Sequence, residues 1–157
     1  MPDIKNVWTN SSKIAQGKLK SQGQKAELEI GRYNHLIIES RSDFGLYLSS
    51  NEERILLPNK YVPSEFNIGD SIEVFVYTDS EDRLVATTLK PAGIVGDFVF
   101  LKAKDVASFR TFMEWGLEKD LLIPKNAQQD SMSPGKKYLT KICLDQKTQR
   151  VYGTTQI

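Results

Sequence analysis

The chain has 157 residues, of which 39% are hydrophobic and 26% charged, and its formal net charge is +1. This composition permits a packed core in one ordinary domain or two small ones, and no apolar run approaches the roughly 18–20 residues of a membrane span. The N-terminus lacks the apolar centre of a secretory signal, so we predict a cytoplasmic protein with no membrane partner. The single cysteine excludes an internal disulfide, and a single histidine leaves no Cys/His zinc site. We therefore expect no metal and no cofactor.

The first 27 residues differ in composition from the rest of the chain. They are rich in lysine, serine and glutamine, and their five lysines against two acids give a charge of +3. The stretch "KLKSQGQK" is too broken by glycine and serine for a long helix. This composition favours a flexible basic tail, docked locally through Trp8, over a stable helix.

From residue 28 onwards the chain shows short runs with the composition and alternation of β-strands. In the run 71–78, Ile72, Val74 and Val76 fall on one face, which predicts that they enter a core. Phe75 on the other face is then either exposed to solvent or covered by the closing of a barrel. The first five predicted strands are 35–40, 44–49, 54–58, 71–78 and 83–88.

The second half of the chain repeats this pattern. Pro58 and Pro124, Gly69 and Gly135, and Asp79 and Asp145 are each 66 positions apart, which indicates two copies of one supersecondary unit. Five strands in about 65 residues, with a long connection between the third and fourth, are typical of a small closed barrel of the OB type. The fold is therefore predicted to be all-β, with two tandem five-stranded OB-fold barrels in residues 28–90 and 91–157. The strands of the second copy are predicted at 97–106, 111–117, 120–125, 136–145 and 150–155.

The two copies differ in charge. Residues 28–90 contain six basic and eleven acidic residues, a net −5, whereas residues 91–157 contain ten basic and seven acidic, a net +3. A polyanion is attracted by the second copy and repelled by the first.

Three stretches carry a family resemblance: "RYNHLIIESRSDFGLYLSSNEERILLPNKYV", "GDSIEVFVYTDSEDRLVATT" and "FMEWGLEKDLLIP". They resemble the N-terminal half of the bacterial conserved virulence factor B family, which consists of tandem RNA-binding repeats similar to those of ribosomal protein S-one. The resemblance covers about residues 28–157. Family members usually continue into a third repeat and a winged-helix domain, so we expect the chain to be either a fragment or a short member.

The resemblance implies an RNA-binding surface on each repeat. Its signature places two aromatic rings on the second strand and an acid and a base on the last hairpin. A bulge at Gly45 would bring Phe44 and Tyr47 to one face, where bases can stack on them. The residues implied as RNA-binding are Phe44, Tyr47, Arg83, Phe109, Arg110, Phe112, Lys119 and Arg150, with Asp79 and Asp145 as supporting acids.

The chain departs from the family signature at two kinds of position. Arg110 stands where the second copy should have glycine, which puts a bulge there in doubt but adds a cation that can stack on a base. Pro58 and Pro124 replace the histidine that follows the third strand, so one expected RNA contact is missing from each copy.

Structural roles compete with these functional ones. The aromatic residues of the signature can instead be ordinary core residues, Trp115 is interpreted as a packing residue, His35 as a strand residue with one structural hydrogen bond, and Cys143 as an inert buried thiol. Five lysines either form a phosphate-binding patch or are simply solvated: Lys119, Lys125, Lys136, Lys137 and Lys141.

The sequence thus favours non-catalytic binding of single-stranded RNA, in a post-transcriptional or other expression-regulating role, with the second repeat binding more strongly. No phosphate-binding glycine loop, nucleophile elbow or paired-histidine motif is present to support an enzyme. The alternative is a protein-interaction module, since OB barrels also bind peptides, in which the acidic first repeat docks a basic partner.

Overall fold

The structure, a computed structural model, describes residues 27–51 and 53–157. The predicted flexible tail lies outside the described residues except for Glu27. Within the part of the chain that is described, no helix is long and apolar enough to cross a membrane.

The first half forms a closed five-stranded barrel in the order β1-β2-β3-β5-β4. Neighbouring strands such as β1 and β2 run antiparallel, while β3 and β5 pair in parallel through Leu56 and Val85. Closure leaves no free edge in so small a sheet. The strands are β1 Arg32–Ser42, β2 Gly45–Ser50, β3 Glu53–Pro58, β4 Ser71–Thr78 and β5 Leu84–Thr87.

The second half repeats this barrel with the order β10-β8-β7-β6-β9. Its parallel pair joins Leu122 of β8 to Tyr152 of β10, the counterpart of the pair between Leu56 and Val85. The predicted all-β fold of two five-stranded barrels is confirmed, with every strand within a few residues of its predicted place. The strands are β6 Phe98–Ala107, β7 Arg110–Glu114, β8 Leu121–Pro124, β9 Lys137–Leu144 and β10 Val151–Thr154.

The repeated prolines end the third strand of each barrel. Pro58 and Pro124 have φ of −59° and −61°, and each precedes a three-residue 3-10 turn, Asn59–Tyr61 or Lys125–Ala127. The fixed φ of proline suits this position, where its missing N–H is not required by the sheet.

Alternating side chains fill the interior of each barrel because successive residues of a strand face opposite ways. Phe75, whose position the alternation left open, is fully buried and lies edge-on to Tyr33 with ring centres 5.8 Å apart. The buried apolar side chains include Leu36, Ile38, Leu46, Leu48, Ile55, Leu57, Val74 and Val76 in the first barrel, and Leu101, Ala103, Met113, Leu121, Ile123 and Ile142 in the second.

The bulge predicted at Gly45 lies elsewhere. Gly45 pairs regularly with Ser42 on one side and with Pro58 on the other, and the register shifts instead on β1, between Ile38 and Ser40. Gly45 is required for a different reason. Its φ is +150°, and a Cβ there would lie 2.0 Å from the carbonyl oxygen of Leu57. The glycine therefore permits close approach of two strands.

The described chain also divides into two compact units by its contacts. The first contains Tyr33–Val76 and Arg83–Thr88, and the second contains Ile30–Arg32, Tyr77–Asp82 and Leu89–Ile157. The turn after β4 therefore belongs to the second unit.

Candidate functional site

A row of three outward side chains crosses the second barrel. Phe112 on β7 is in register with Leu122 on β8, and Leu122 with Tyr152 on β10. All three are half-buried, and the neighbours of Phe112 along β7, Thr111 and Met113, point into the core. The row therefore forms a partly apolar strip on the outside of the barrel.

Phe109 and Arg110 extend this strip at the start of β7. Phe109 lies in the preceding turn with 68% of its surface exposed, and its carbonyl accepts a hydrogen bond from the N–H of Lys125. The guanidinium carbon of Arg110 lies 4.4 Å from the ring centre of Phe112 and 5.4 Å from that of Phe109. The arginine thus contacts both predicted aromatic rings, although its carboxylate neighbour Asp105 also lies 3.3 Å from it.

The first barrel contains the equivalent row. Tyr47 on β2 is in register with Leu56 on β3, which pairs with Val85 on β5. Phe44 lies in the turn before β2 and is 71% exposed. The guanidinium of Arg54 lies over Tyr47 at 5.3 Å. Both predicted aromatic pairs therefore lie on the barrel surface, one ring exposed and the other half-buried.

Tyr152 is a further member of the strip, beyond the residues predicted from the sequence. The signal was available, because "RVYGTT" aligns with "RLVATT" and so places Tyr152 at the position of Val85. Burial, together with a hydrogen bond to Cys143, raises the pKa of the Tyr152 phenol, and burial raises the pKa of the Cys143 thiol. The phenol of Tyr152 therefore stays protonated at neutral pH.

The last hairpin does not bring Asp145 and Arg150 together as an ion pair. The guanidinium of Arg150 donates two hydrogen bonds to Asp82, from Nε to Oδ1 at 2.6 Å and from Nη2 to Oδ2 at 2.7 Å. This pairing raises the pKa of Arg150. Asp145 instead accepts hydrogen bonds from the N–H groups of Lys147 and Thr148, which lower its pKa. It stabilises its own turn.

Lys119 also has partners within the second unit. Its Nζ donates to the carbonyl oxygens of Thr78 at 2.9 Å and Asp79 at 3.1 Å, and burial lowers its pKa. Trp115 is buried, as its structural interpretation predicts, and its indole N–H donates to the carbonyl of Lys119. In the turn after β4, the side chain of Asp79 accepts a hydrogen bond from the N–H of Glu81.

Lys119, Arg150 and Asp145 are among the residues that line a groove of about 1070 Å³ within the second unit. The strip residues Phe112, Leu122 and Tyr152 also line it. The charged side chains that line it are mostly acidic, so most of the basic residues of the second repeat lie outside the groove. The charged lining residues are Asp79, Asp82, Glu118, Asp120 and Asp145, with Lys119 and Arg150 as the cations.

The remaining predicted residues lie apart from this groove. Arg83 is exposed immediately before β5. Lys125 begins the turn after β8, whereas Lys137 and Lys141 lie on β9 and Lys136 directly precedes it. The five predicted lysines therefore do not form one patch. His35 lies exposed on β1, with its Nε2 3.4 Å from a carboxylate oxygen of Glu73.

Comparison with known proteins supports the fold. Residues 30–89, which include the first barrel, match the S1 domain family. The chain is 33% identical over 94 residues to the uncharacterized protein YitL of Bacillus subtilis (strain 168), and the match covers 59% of this chain and 32% of YitL.

A solved structure shows the same architecture over most of the chain. A multidomain protein with nucleic acid binding domains from Streptococcus pneumoniae superposes with a TM-score of 0.69 at 18% identity, covering 82% of this chain and 46% of that protein. The chain therefore spans less than half the length of either relative. Its residues 30–89 are similar to an S1 domain, and its two-barrel fold is similar to that of a multidomain protein.

Proposed function

We propose that the protein binds single-stranded RNA without acting on it chemically, as a cytoplasmic post-transcriptional regulator. The observation that supports this most directly is the strip of the second barrel, where Phe109 is exposed, Phe112 is half-buried and Arg110 contacts both rings. Aromatic rings and guanidinium planes bind unpaired bases by stacking, at about 1–3 kcal/mol for each base.

The preference for a single strand follows from the geometry of stacking. The faces of bases in a duplex are covered by their neighbours, whereas a single strand can present them to Phe109 and Phe112. The S1 domain match and the nucleic acid binding domains named in the Streptococcus pneumoniae protein point in the same direction.

The two barrels are proposed to bind unequally. Both present one exposed and one half-buried ring, but the row of the second barrel ends in Tyr152 where that of the first ends in Val85. The second barrel therefore offers one more stacking surface. The first repeat also has a net charge of −5, which disfavours phosphate.

A fluorescence-anisotropy titration with a labelled oligouridine tests the proposal. We expect the Phe109→Ala/Phe112→Ala variant to bind at least about tenfold more weakly than the wild type, since two stacking rings are lost. The matched control is Phe44→Ala/Tyr47→Ala, which removes the equivalent rings of the first barrel and is expected to have a smaller effect. Wild-type binding should also weaken with added salt, because phosphate contacts release counterions.

Failure of the wild type to bind the oligonucleotide would refute the proposal, and equal affinity of the wild type and the Phe109/Phe112 variant would refute the assignment of binding to these two rings. Binding of a basic protein partner, retained in that variant and lost when the acids of the first repeat are neutralised, would instead support a protein-interaction module.

A further inference from the structure

A second aromatic surface lies on the outside of β6 and β9. Three directly opposed residue pairs form it: Phe98 with Lys141, Phe100 with Leu139, and Lys102 with Lys137. We call these six residues the β6–β9 face. Phe98 is 52% exposed, Phe100 70% and Leu139 39%.

The alternation of β6 explains why these rings are outside. Leu101 and Ala103 are buried in the core, so Phe98, Phe100 and Lys102 must face outward. Large aromatic residues are normally at least partly covered. Two phenylalanines exposed side by side on one strand therefore indicate a surface suited to a binding partner.

The charged members of this face are lysines, while Glu114 on β7 is in register with Lys102 on the side away from Lys137. Lys102 and Lys137 are directly opposite each other, an arrangement in which like charges repel. The Nζ of Lys141 lies 5.4 Å from the ring centre of Phe98. The six residues of the face include three lysines and no acid. An anionic partner would relieve the repulsion between Lys102 and Lys137.

We propose that the β6–β9 face binds a second stretch of single-stranded nucleic acid. Bases stack on Phe98 and Phe100 while Lys102, Lys137 and Lys141 contact phosphates. Residues two apart on a strand are separated by about 6.7 Å, twice the 3.4 Å rise of stacked nucleotides. Each ring can therefore engage a different base of an unstacked strand. This inference takes its class of ligand, single-stranded nucleic acid, from the proposed function. Its residues are separate from Phe109 and Phe112.

The first barrel lacks such a face. The corresponding outward residues on its β1 and β4 include His35 and Glu73, whose side chains approach to 3.4 Å. Phe75 is fully buried beside Tyr33. The β6–β9 face thus contains three lysines, whereas in the groove acids outnumber the cations Lys119 and Arg150.

Photo-crosslinking tests the proposal in a way that separates it from the main site. An oligouridine of about 18 nucleotides, long enough to extend beyond one barrel, is prepared with 4-thiouridine and irradiated with the full chain. We expect crosslinks at Phe98 or Phe100, and we expect them to persist in the Phe109→Ala/Phe112→Ala variant. Affinity for the same oligonucleotide is expected to fall at least about fivefold in Phe98→Ala/Phe100→Ala and in Lys102→Gln/Lys137→Gln.

His35→Ala/Ile37→Ala is the matched control, because it truncates outward residues on the corresponding strand of the first barrel and is expected to leave affinity within about twofold. Thermal unfolding of each variant distinguishes loss of binding from loss of folding. Exposed side chains contribute little to stability, so the Phe98/Phe100 variant should melt within a few degrees of the wild type.

The possible outcomes are distinct. If only the Phe109/Phe112 variant binds more weakly and no crosslink maps to β6, the inference fails while the proposed function stands. If only the β6–β9 variants bind more weakly, the inference stands and the Phe109/Phe112 site fails. A wild-type dimer that becomes monomeric in Phe98→Ala/Phe100→Ala, with unchanged RNA affinity, would overturn the inference in favour of a contact between two copies.

Discussion

The guanidinium carbon of Arg110 lies 4.4 Å from the ring centre of Phe112. A cation over an aromatic ring contributes about 0.5–2 kcal/mol, and here it also contacts the exposed ring of Phe109. Arg110 therefore links the two rings proposed to stack on RNA, in the position where the first barrel has Gly45.

We expect Arg110→Ala to weaken RNA binding about three- to tenfold, because both a phosphate contact and a stacking plane are lost. Arg110→Lys should be intermediate, since lysine keeps the charge but not the plane. Anisotropy titrations measure both. Arg54→Ala removes the equivalent cation over Tyr47 in the first barrel. If it weakens binding as much as Arg110→Ala does, the proposed inequality of the barrels is wrong.

Asp82→Asn is expected to increase RNA affinity. Asp82 holds the Nε/Nη2 edge of the Arg150 guanidinium through hydrogen bonds of 2.6 and 2.7 Å, so neutralising Asp82 weakens this pairing and makes that edge available to phosphate. We predict a roughly two- to fivefold gain at low salt and a stability change within about 1 kcal/mol, because the pair is solvent-exposed. Asparagine tolerates the positive φ of +62° at this position.

Glu81→Gln is the control for this change. It removes an acid from the same turn but leaves the contact between Asp82 and Arg150 intact. An equal gain from both variants would show that net charge, rather than release of Arg150, is responsible.

Glu53 makes stability depend on pH. Its carboxyl group is buried on β3 with Oε2 lacking a hydrogen-bond partner. Burial, with a smaller contribution from Glu27, raises its pKa from 4.5 to about 8. The folded state therefore holds the proton more tightly than the unfolded state. The stabilisation that comes from protonating Glu53 is complete below pH 4.5 and is lost as the pH rises through about 8.

Urea denaturation at several pH values measures this effect. The free energy of unfolding should decline between pH 5 and 8, by at most about 5 kcal/mol for a pKa shift of this size. Glu53→Gln should flatten this decline and be more stable than the wild type at pH 8.5. An identical pH profile for both proteins would contradict the assignment to Glu53.

Gly45→Ala is expected to destabilise the protein by more than about 3 kcal/mol. The added Cβ would lie 2.0 Å from the backbone carbonyl oxygen of Leu57, which cannot move without disturbing the pairing of β2 with β3. Gly69→Ala is a suitable comparison. Gly69 also has a positive φ, +98°, but no atom within 4 Å of the added Cβ, so only about 1–2 kcal/mol is expected. Similar losses in the two variants would exclude the steric explanation.

Much of the fold could be predicted because a β-strand with one buried face shows an alternation of apolar and polar residues in its sequence. The predicted run 71–78 has its observed bounds, and the predicted third strand of the first copy ends at Pro58 as observed, whereas that of the second copy is predicted to end one residue after Pro124. The prediction of a bulge at Gly45 is wrong because a glycine in a sequence indicates only an unusual backbone requirement. It does not show whether that requirement is a bulge or a close contact with a neighbouring strand. At Gly45 the use is a close approach to Leu57, and the register shift occurs one strand earlier.

The candidate site was harder to predict because it depends on contacts between distant residues. Phe109 and Phe112 could be selected from a motif, but the pairing of Arg150 with Asp82, 68 positions away, could not. Phe98 and Phe100 could not be identified as surface residues from the sequence, because they belong to the run "FVFL", in which both faces of the strand are apolar. Alternation cannot tell which side faces outward in such a run.

In each barrel the last strand along the chain lies between two earlier ones, β5 between β3 and β4, and β10 between β8 and β9. During synthesis, β3 and β4 therefore present open edges until Leu84–Thr87 has left the ribosome. An edge of this kind can pair with another chain. Since domains tend to fold as units during translation, the first barrel can close before the second is complete. The nascent chain thus has two separate intervals of aggregation risk, each ended by a four-residue strand.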